Sequence, residues 1–161
     1  MAEREKQRPA LPSVLDRLID EEPDSKLEHS MSVSQMASAL RSAVRRDLEN
    51  LLNHRMRPIS VPDGMDELEQ SSYEYGIPDF SGANLSTAAK RRQYLRNVER
   101  IIRLHEPRFS SVKVTPVEKR QSAYRTLHFQ IEAVLCVEPA PEAVLYDSHV
   151  DVMKRSFRIS I

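Results

Sequence analysis

The sequence predicts an α+β fold, with N-terminal helices packed on one face of a C-terminal, mainly antiparallel sheet. Two observations carry this. Apolar residues recur at steps of three and four in two stretches before Pro107, and at steps of two after it. Helices that come first and strands that come later, without alternation, give α+β packing. The organisation expected is a flexible N-terminal arm with a short docking helix over residues 1–30. A single α+β domain over 31–161 follows it.

Residues 1 to about 10 are polar and charged and read as disordered. Pro12 opens a short periodic stretch in which Val14, Leu15, Leu18 and Ile19 share one helical side, with Ser13 as N-cap and Pro23 as the stop. So short a helix cannot stand alone and must dock on the domain or on a partner, which makes Leu15 and Leu18 candidate contact residues. The acidic stretch over 20–30 reads as a linker.

The second helix is expected over about 34–54. Met36, Leu40, Val44, Leu48, Leu51 and Leu52 form its stripe, Ser32 with Gln35 forms a capping box, and Asn53 with Pro58 beyond it fits a stop. Residues 62–80 carry six acidic side chains and no Lys or Arg. They read as a weak helical turn near 65–73 followed by a turn at Tyr75–Phe80, where Gly76 and Pro78 permit the reversal.

A third helix over about 86–104 buries Tyr94, Leu95, Val98, Ile101 and Ile102, and Pro107 ends it. Arg92, Arg96, Arg100 and Arg103 gather on its other side. Arg96, Arg100 and Arg103 are candidate partner contacts, although pairing with the acidic residues 63–79 explains such a face as well. The strands follow: Val112 and Val114, then Leu127 to Val137 in alternation, then Val150 and Val152, then Phe157, Ile159 and Ile161. Glu138–Pro141 links the long strand to Val144.

Composition excludes several functions. The 161 residues suffice for a packed core that buries about 70% of the unfolded surface. The longest apolar run, Ala133–Val137, is far short of the ~20 residues of a membrane span, and Met1–Arg8 has no apolar signal-peptide core. Net charge is zero, so no overall field gathers nucleic acid or anionic lipid. The three glycines fall in no phosphate-binding pattern, which argues against nucleotide chemistry. A lone Cys136 permits no intrachain disulfide, and the five histidines lie in separate segments without metal-ligand spacing. No cofactor, metal, nucleic acid or membrane insertion is expected.

Glu106-Pro107-Arg108 stands out at the junction of the last helix and the sheet. Pro107 holds Glu106 out of the α region, and Glu106 and Arg108 then project to the same side. A helix stop with a local ion pair accounts for this equally well.

Four segments, taken in order, resemble one family: Arg-Arg-Asp-Leu-Glu-Asn-Leu-Leu-Asn-His-Arg at 45–55, Tyr-Gly-Ile-Pro-Asp-Phe at 75–80, Glu-Pro-Arg at 106–108 and Phe-Gln-Ile-Glu-Ala-Val-Leu-Cys-Val-Glu-Pro at 129–139. This is the phage-baseplate wedge family once labelled lysozyme-like, and within it the TssE subunits of type VI secretion. The stretch at 12–18 resembles the start of TssE proteins. The resemblance implies a structural, non-enzymatic subunit of a contractile injection machine that links the wedge to the first sheath ring. It implies wedge partners TssF, TssG and TssK, sheath partners TssB and TssC, and a cytoplasmic place in a baseplate docked at the inner membrane complex. Glu106, Pro107 and Arg108 would be the assembly contacts, with Glu106 and Arg108 serving assembly and not folding, so that their truncation leaves melting near-native. The strands after Val112 would present an open edge to neighbouring strands. Phe109 after the motif, and the absence of glycine from the last hairpin, depart from the family pattern.

The old label suggests a rival, a muramidase-like glycoside hydrolase with Glu106 as acid and Asp79 or Glu132 as the second carboxylate. Arg108 favours the ionised form of Glu106, the wrong form for a general acid, and there is no tryptophan to stack a sugar. An anti-adaptor-type regulatory binding protein is a further alternative that the fold family admits.

Overall fold

The computed structural model describes residues 13–18, 33–57, 64–69, 71–78, 87–117, 126–137, 140–151 and 156–160. Outside these lie the expected roles of Ile19, Pro23, Ser32, Pro58, Asp79, Phe80, Glu138, Pro139, Val152 and Ile161, as well as the side chain of Leu15. The described elements run α1 (Val14–Leu18), α2 (Val33–Asn53), α3 (Asp66–Glu69), α4 (Ala88–His105), β1 (Phe109–Pro116), β2 (Thr126–Leu135), β3 (Glu142–Asp151) and β4 (Ser156–Ser160).

The stripe predicted for α2 is the buried face from Leu40 onward: Leu40, Val44, Leu48, Leu51 and Leu52 are all buried. Met36 is not part of it and stands 53% exposed, because the first turns of α2 run past the end of the core. Helix α4 buries Leu95, Val98, Ile101 and Ile102. Thr87 caps its N-terminus by accepting a hydrogen bond from the Lys90 backbone N–H. Each such fully buried aliphatic side chain contributes about 1.5–3 kcal/mol of apolar transfer, so two facing stripes suffice to hold both helices to the sheet.

The four strands form one antiparallel meander in the order β1-β2-β3-β4. Alternation along β2 puts Leu127, Phe129, Ile131, Ala133 and Leu135 into the core. Strand β3 begins earlier than its valines suggest. Tyr146 and Ser148 are buried in the same alternation as Val150, and a tyrosine and a serine among charged neighbours hid the pattern. The Tyr146 phenol is pushed up to about 12, chiefly by burial.

Both edges of the sheet meet side chains from the helices. On β1, the Val114 N–H donates to Glu99 of α4 at 2.9 Å, and Arg103 donates to the Val112 carbonyl at 2.6 Å. On β4, Asn53 of α2 accepts from the Phe157 N–H at 2.9 Å and donates to its carbonyl at 3.1 Å, while Arg45 reaches the Ile159 carbonyl at 3.3 Å. The open edge expected from the resemblance is therefore occupied at these positions. Unpaired edge groups invite association, and helix side chains hold them here.

Candidate functional site

Helix α4 ends because Pro107 follows Glu106. Glu106 has left the helical region (φ −120, ψ 83), and its N–H closes the last helical bond to Ile102. Two residues on, the Arg108 carbonyl accepts a hydrogen bond from the Cys136 N–H at 2.9 Å, which fixes the turn to the end of β2. The ladder slips between Phe109 and Ser111, a bulge at the start of β1 that lets the chain leave the turn and enter the sheet.

This geometry brings Glu106 and Arg108 together. The guanidinium donates from Nε and Nη2 to both Glu106 carboxylate oxygens, and from Nη2 to Asp47 of α2 at 2.7 Å. The Glu106 side chain is 6% exposed, that of Arg108 14% and that of Asp47 27%. Burial works against the charge on Arg108, but its contacts with Glu106 and Asp47 outweigh this and move its pKa upward. The triad is thus a buried tie between α2, the end of α4 and the first strand. Beside the assembly role expected of them, this burial predicts that Glu106 and Arg108 also hold the fold. Truncating either strands a desolvated charge inside the protein.

An aromatic row stands beside the triad. The rings of His54, Tyr75 and His105 are spaced 5.4 Å apart in sequence, the first pair tilted and the second edge-on. Gly76 makes the approach possible: at φ +111 its Cα lies under the chain at His54, and a Cβ there would come within 2.5 Å of the His54 carbonyl oxygen. The Ile77 N–H donates to that same carbonyl at 2.9 Å. Burial raises the Tyr75 phenol pKa, with the charges of Asp47 and Glu106 adding to it. Burial lowers that of His105, against an opposing hydrogen bond to the Glu74 backbone. Ser13, Leu51, Tyr75, His105, the exposed Pro107 and the triad line a cleft of about 330 Å³.

The other predicted residues are placed apart from the turn's core. Leu18 and its neighbour Val14 are 76% and 72% exposed, while α1 itself reaches the cleft through Ser13. Arg96 and Arg100 are exposed on α4. Arg96 donates to Gln93, and Arg103 pairs with Glu99 one turn back and donates to the Val112 carbonyl on β1. Glu132 lies on the solvent side of β2, opposite the buried row, so it is not the second carboxylate of a pair with Glu106. Among the described residues no cluster of three or more His, Cys, Asp or Glu is arranged to hold a metal ion, and no helix is long and apolar enough to cross a membrane.

Asp47, Tyr75 and His105 lie in segments the sequence singles out, at 45–55, 75–80 and the helix–sheet hinge, but the sequence reading gives them no role in the site. Asp47 carried a signal: with Val44 and Leu51 it keeps the three-and-four spacing, so a carboxylate interrupts an otherwise apolar stripe.

Comparison with known proteins bears on this arrangement. No curated protein sequence matches the chain. Among solved structures, a chain of "The baseplate complex from the type VI secretion system" aligns with 68% of this chain and 93% of its own length, at 16% identity and a TM-score of 0.48. The family model for baseplate wedge protein gp25 matches residues 38–140. That match takes in most of α2, all of α4, the Glu106–Arg108 turn and the first two strands, well over half of the sequence. The chain belongs to the baseplate wedge protein gp25 family.

Proposed function

We propose that the protein is a non-catalytic subunit of a type VI secretion baseplate, linking the wedge complex to the first sheath ring. Family membership supports a baseplate component. The TssE-like segments at 12–18, 45–55, 75–80 and 106–108 support the type VI assignment. The partners are then TssF, TssG and TssK on the wedge side and TssB and TssC on the sheath side. The site of action is cytoplasmic, in the baseplate docked at the inner membrane complex. Residues 1–30 act as an arm that presents α1, and 31–161 act as one wedge domain.

One observation carries the reading of the site: Pro107 is exposed on a turn whose flanking Glu106 and Arg108 are locked to α2. An exposed turn beside a cleft, held from behind by an ion triad, is suited to docking, because little order remains to be lost on binding. A glycosidase acid, by contrast, needs a proton to give and an accessible oxygen. Here both Glu106 oxygens are engaged by Arg108. The contacts fall to Pro107 and the cleft rim, with Arg96, Arg100 and Leu18 as outlying candidates.

Pro107→Glu separates assembly from folding. It adds a long charged side chain at an exposed position, and with the proline gone the Arg108–Asp47 contact and the Cys136 N–H bond to the Arg108 carbonyl still hold the turn. Melting close to wild type with loss of co-purified wedge and sheath subunits is the expected result. Normal recovery of both would remove the turn from the assembly surface.

A further inference from the structure

Helix α1 is too short to be stable alone, yet it holds a defined place. Ser13 and Asp16 cap it reciprocally: the Ser13 Oγ–H donates to Asp16 at 2.7 Å, and the Asp16 N–H donates back to Ser13 Oγ at 3.1 Å. Val14 and Leu18 face outward and do not seat it. An ion pair reaches the domain. The free oxygen of Asp16 accepts from Arg46 of α2 at 2.5 Å, and Arg46 also reaches Asp47 at 3.2 Å. Asp47 is the carboxylate that Arg108 bridges to Glu106. Asp16, Arg46, Asp47, Arg108 and Glu106 therefore form one chain of alternating charge. It runs from α1, across α2, to the turn, and Ser13 stands on the rim of the cleft at its far end.

We propose that α1 is a charge-latched strap, seated on the rim of the cleft beside Glu106-Pro107-Arg108 and controlling entry to it. Arg46 is the latch, because it is the link that joins α1 to the triad. Its side chain is 37% exposed, so the latch stands at the surface, where salt and a competing charge can reach it. Glu106 and Arg108 beneath are less exposed, at 6% and 14%, and stay paired when the strap lifts. The role in partner entry rests on the assembly reading above; the strap itself belongs to the isolated chain and is tested there.

The test uses the full chain and two perturbations: Arg46→Gln, which leaves the Ser13–Asp16 cap intact, and sodium chloride raised from about 0.05 to 1 M on the unaltered protein, which shortens screening to about 3 Å. Two readouts are followed. One is tryptic cleavage after Arg17, inside α1, normalised to a short peptide of the same sequence. The other is oxidative labelling of Tyr75 on the cleft wall. Loss of a charge-assisted latch is expected to raise cleavage about tenfold and labelling severalfold, with the thermal melt little changed. Unchanged cleavage under both perturbations would overturn the strap. Faster cleavage with constant Tyr75 labelling would also overturn it, because α1 would then cover nothing. If Arg46→Gln does not fold, the salt series on the unaltered protein decides. If the salt series moves both readouts and Pro107→Glu still recovers every partner, the strap stands and the assembly surface lies elsewhere.

Discussion

Arg108→Ala removes the central charge of the triad and leaves Glu106, 6% exposed at its side chain, without the guanidinium that neutralises it. Breaking a buried pair from one side costs about 3–5 kcal/mol, because the remaining charge stays desolvated. Asp47, 27% exposed, can turn partly to water and adds less. For a chain of 161 residues, each kcal/mol moves the melting midpoint by about 2–4 °C, so a drop of roughly 10 °C is expected. Arg41 provides the comparison. Its pair with Glu142 is about one-third exposed on both sides, and Arg41→Ala is expected to cost no more than about 1 kcal/mol. Glu106→Leu combined with Arg108→Met should cost less than the two single truncations summed, since neither charge is left stranded. Urea unfolding followed by circular dichroism measures all of these. An Arg108→Ala protein within 1 kcal/mol of the parent would refute the burial argument and return the turn to a surface ion pair.

Three further outcomes are expected. Gly76→Ala forces a Cβ to within 2.5 Å of the His54 carbonyl at φ +111 and should cost more than about 2 kcal/mol, whereas Gly64→Ala, at φ +88 with open space around it, costs about 1 kcal/mol; equal costs in urea unfolding would contradict the close approach. Asn53→Ala uncovers the N–H and carbonyl of Phe157 at the sheet edge and should cost about 1–2 kcal/mol, with hydrogen exchange in β4 accelerated ahead of β2; uniform acceleration would contradict an edge role. The folded His105 pKa lies below the ordinary 6.5, so the unfolded chain takes up the proton first. Its contribution is complete above pH 6.5 and is lost as pH falls through the folded value; a melting profile from pH 7.5 to 5 should show that decline, and His105→Leu should flatten it.

The helices and the central strands were legible because burial there imposes a period. Val44, Leu48, Leu51 and Leu52, then Leu95, Val98, Ile101 and Ile102, then Phe129, Ile131 and Ala133, each repeat at the spacing of one buried face. What was not legible depends on contacts between distant segments. Asp47 and Arg108 are 61 positions apart, and only the packing of α2 on the end of α4 brings them to 2.7 Å. Asn53 reads as a helix stop and is one, but its clamp on Phe157, 104 positions away, follows from where β4 lies. The arginines of α4 read as one face, while the structure separates them by use. Arg103 holds the edge of β1, and Arg96 stays local. The Glu-Pro-Arg turn was visible as a motif, but its burial was not. Pro107 marks a helix end, and helix ends are usually exposed.

If the Pro107 turn contacts baseplate or sheath subunits, it should crosslink to them in the assembled machine. A photo-crosslinking amino acid placed at position 107, in cells assembling the secretion machine, tests it most directly. Adducts with wedge or sheath subunits are predicted at 107, and none from the same probe at Glu132 on the solvent side of the sheet. Adducts at 132 with none at 107, in cells whose machine still assembles, would contradict the account.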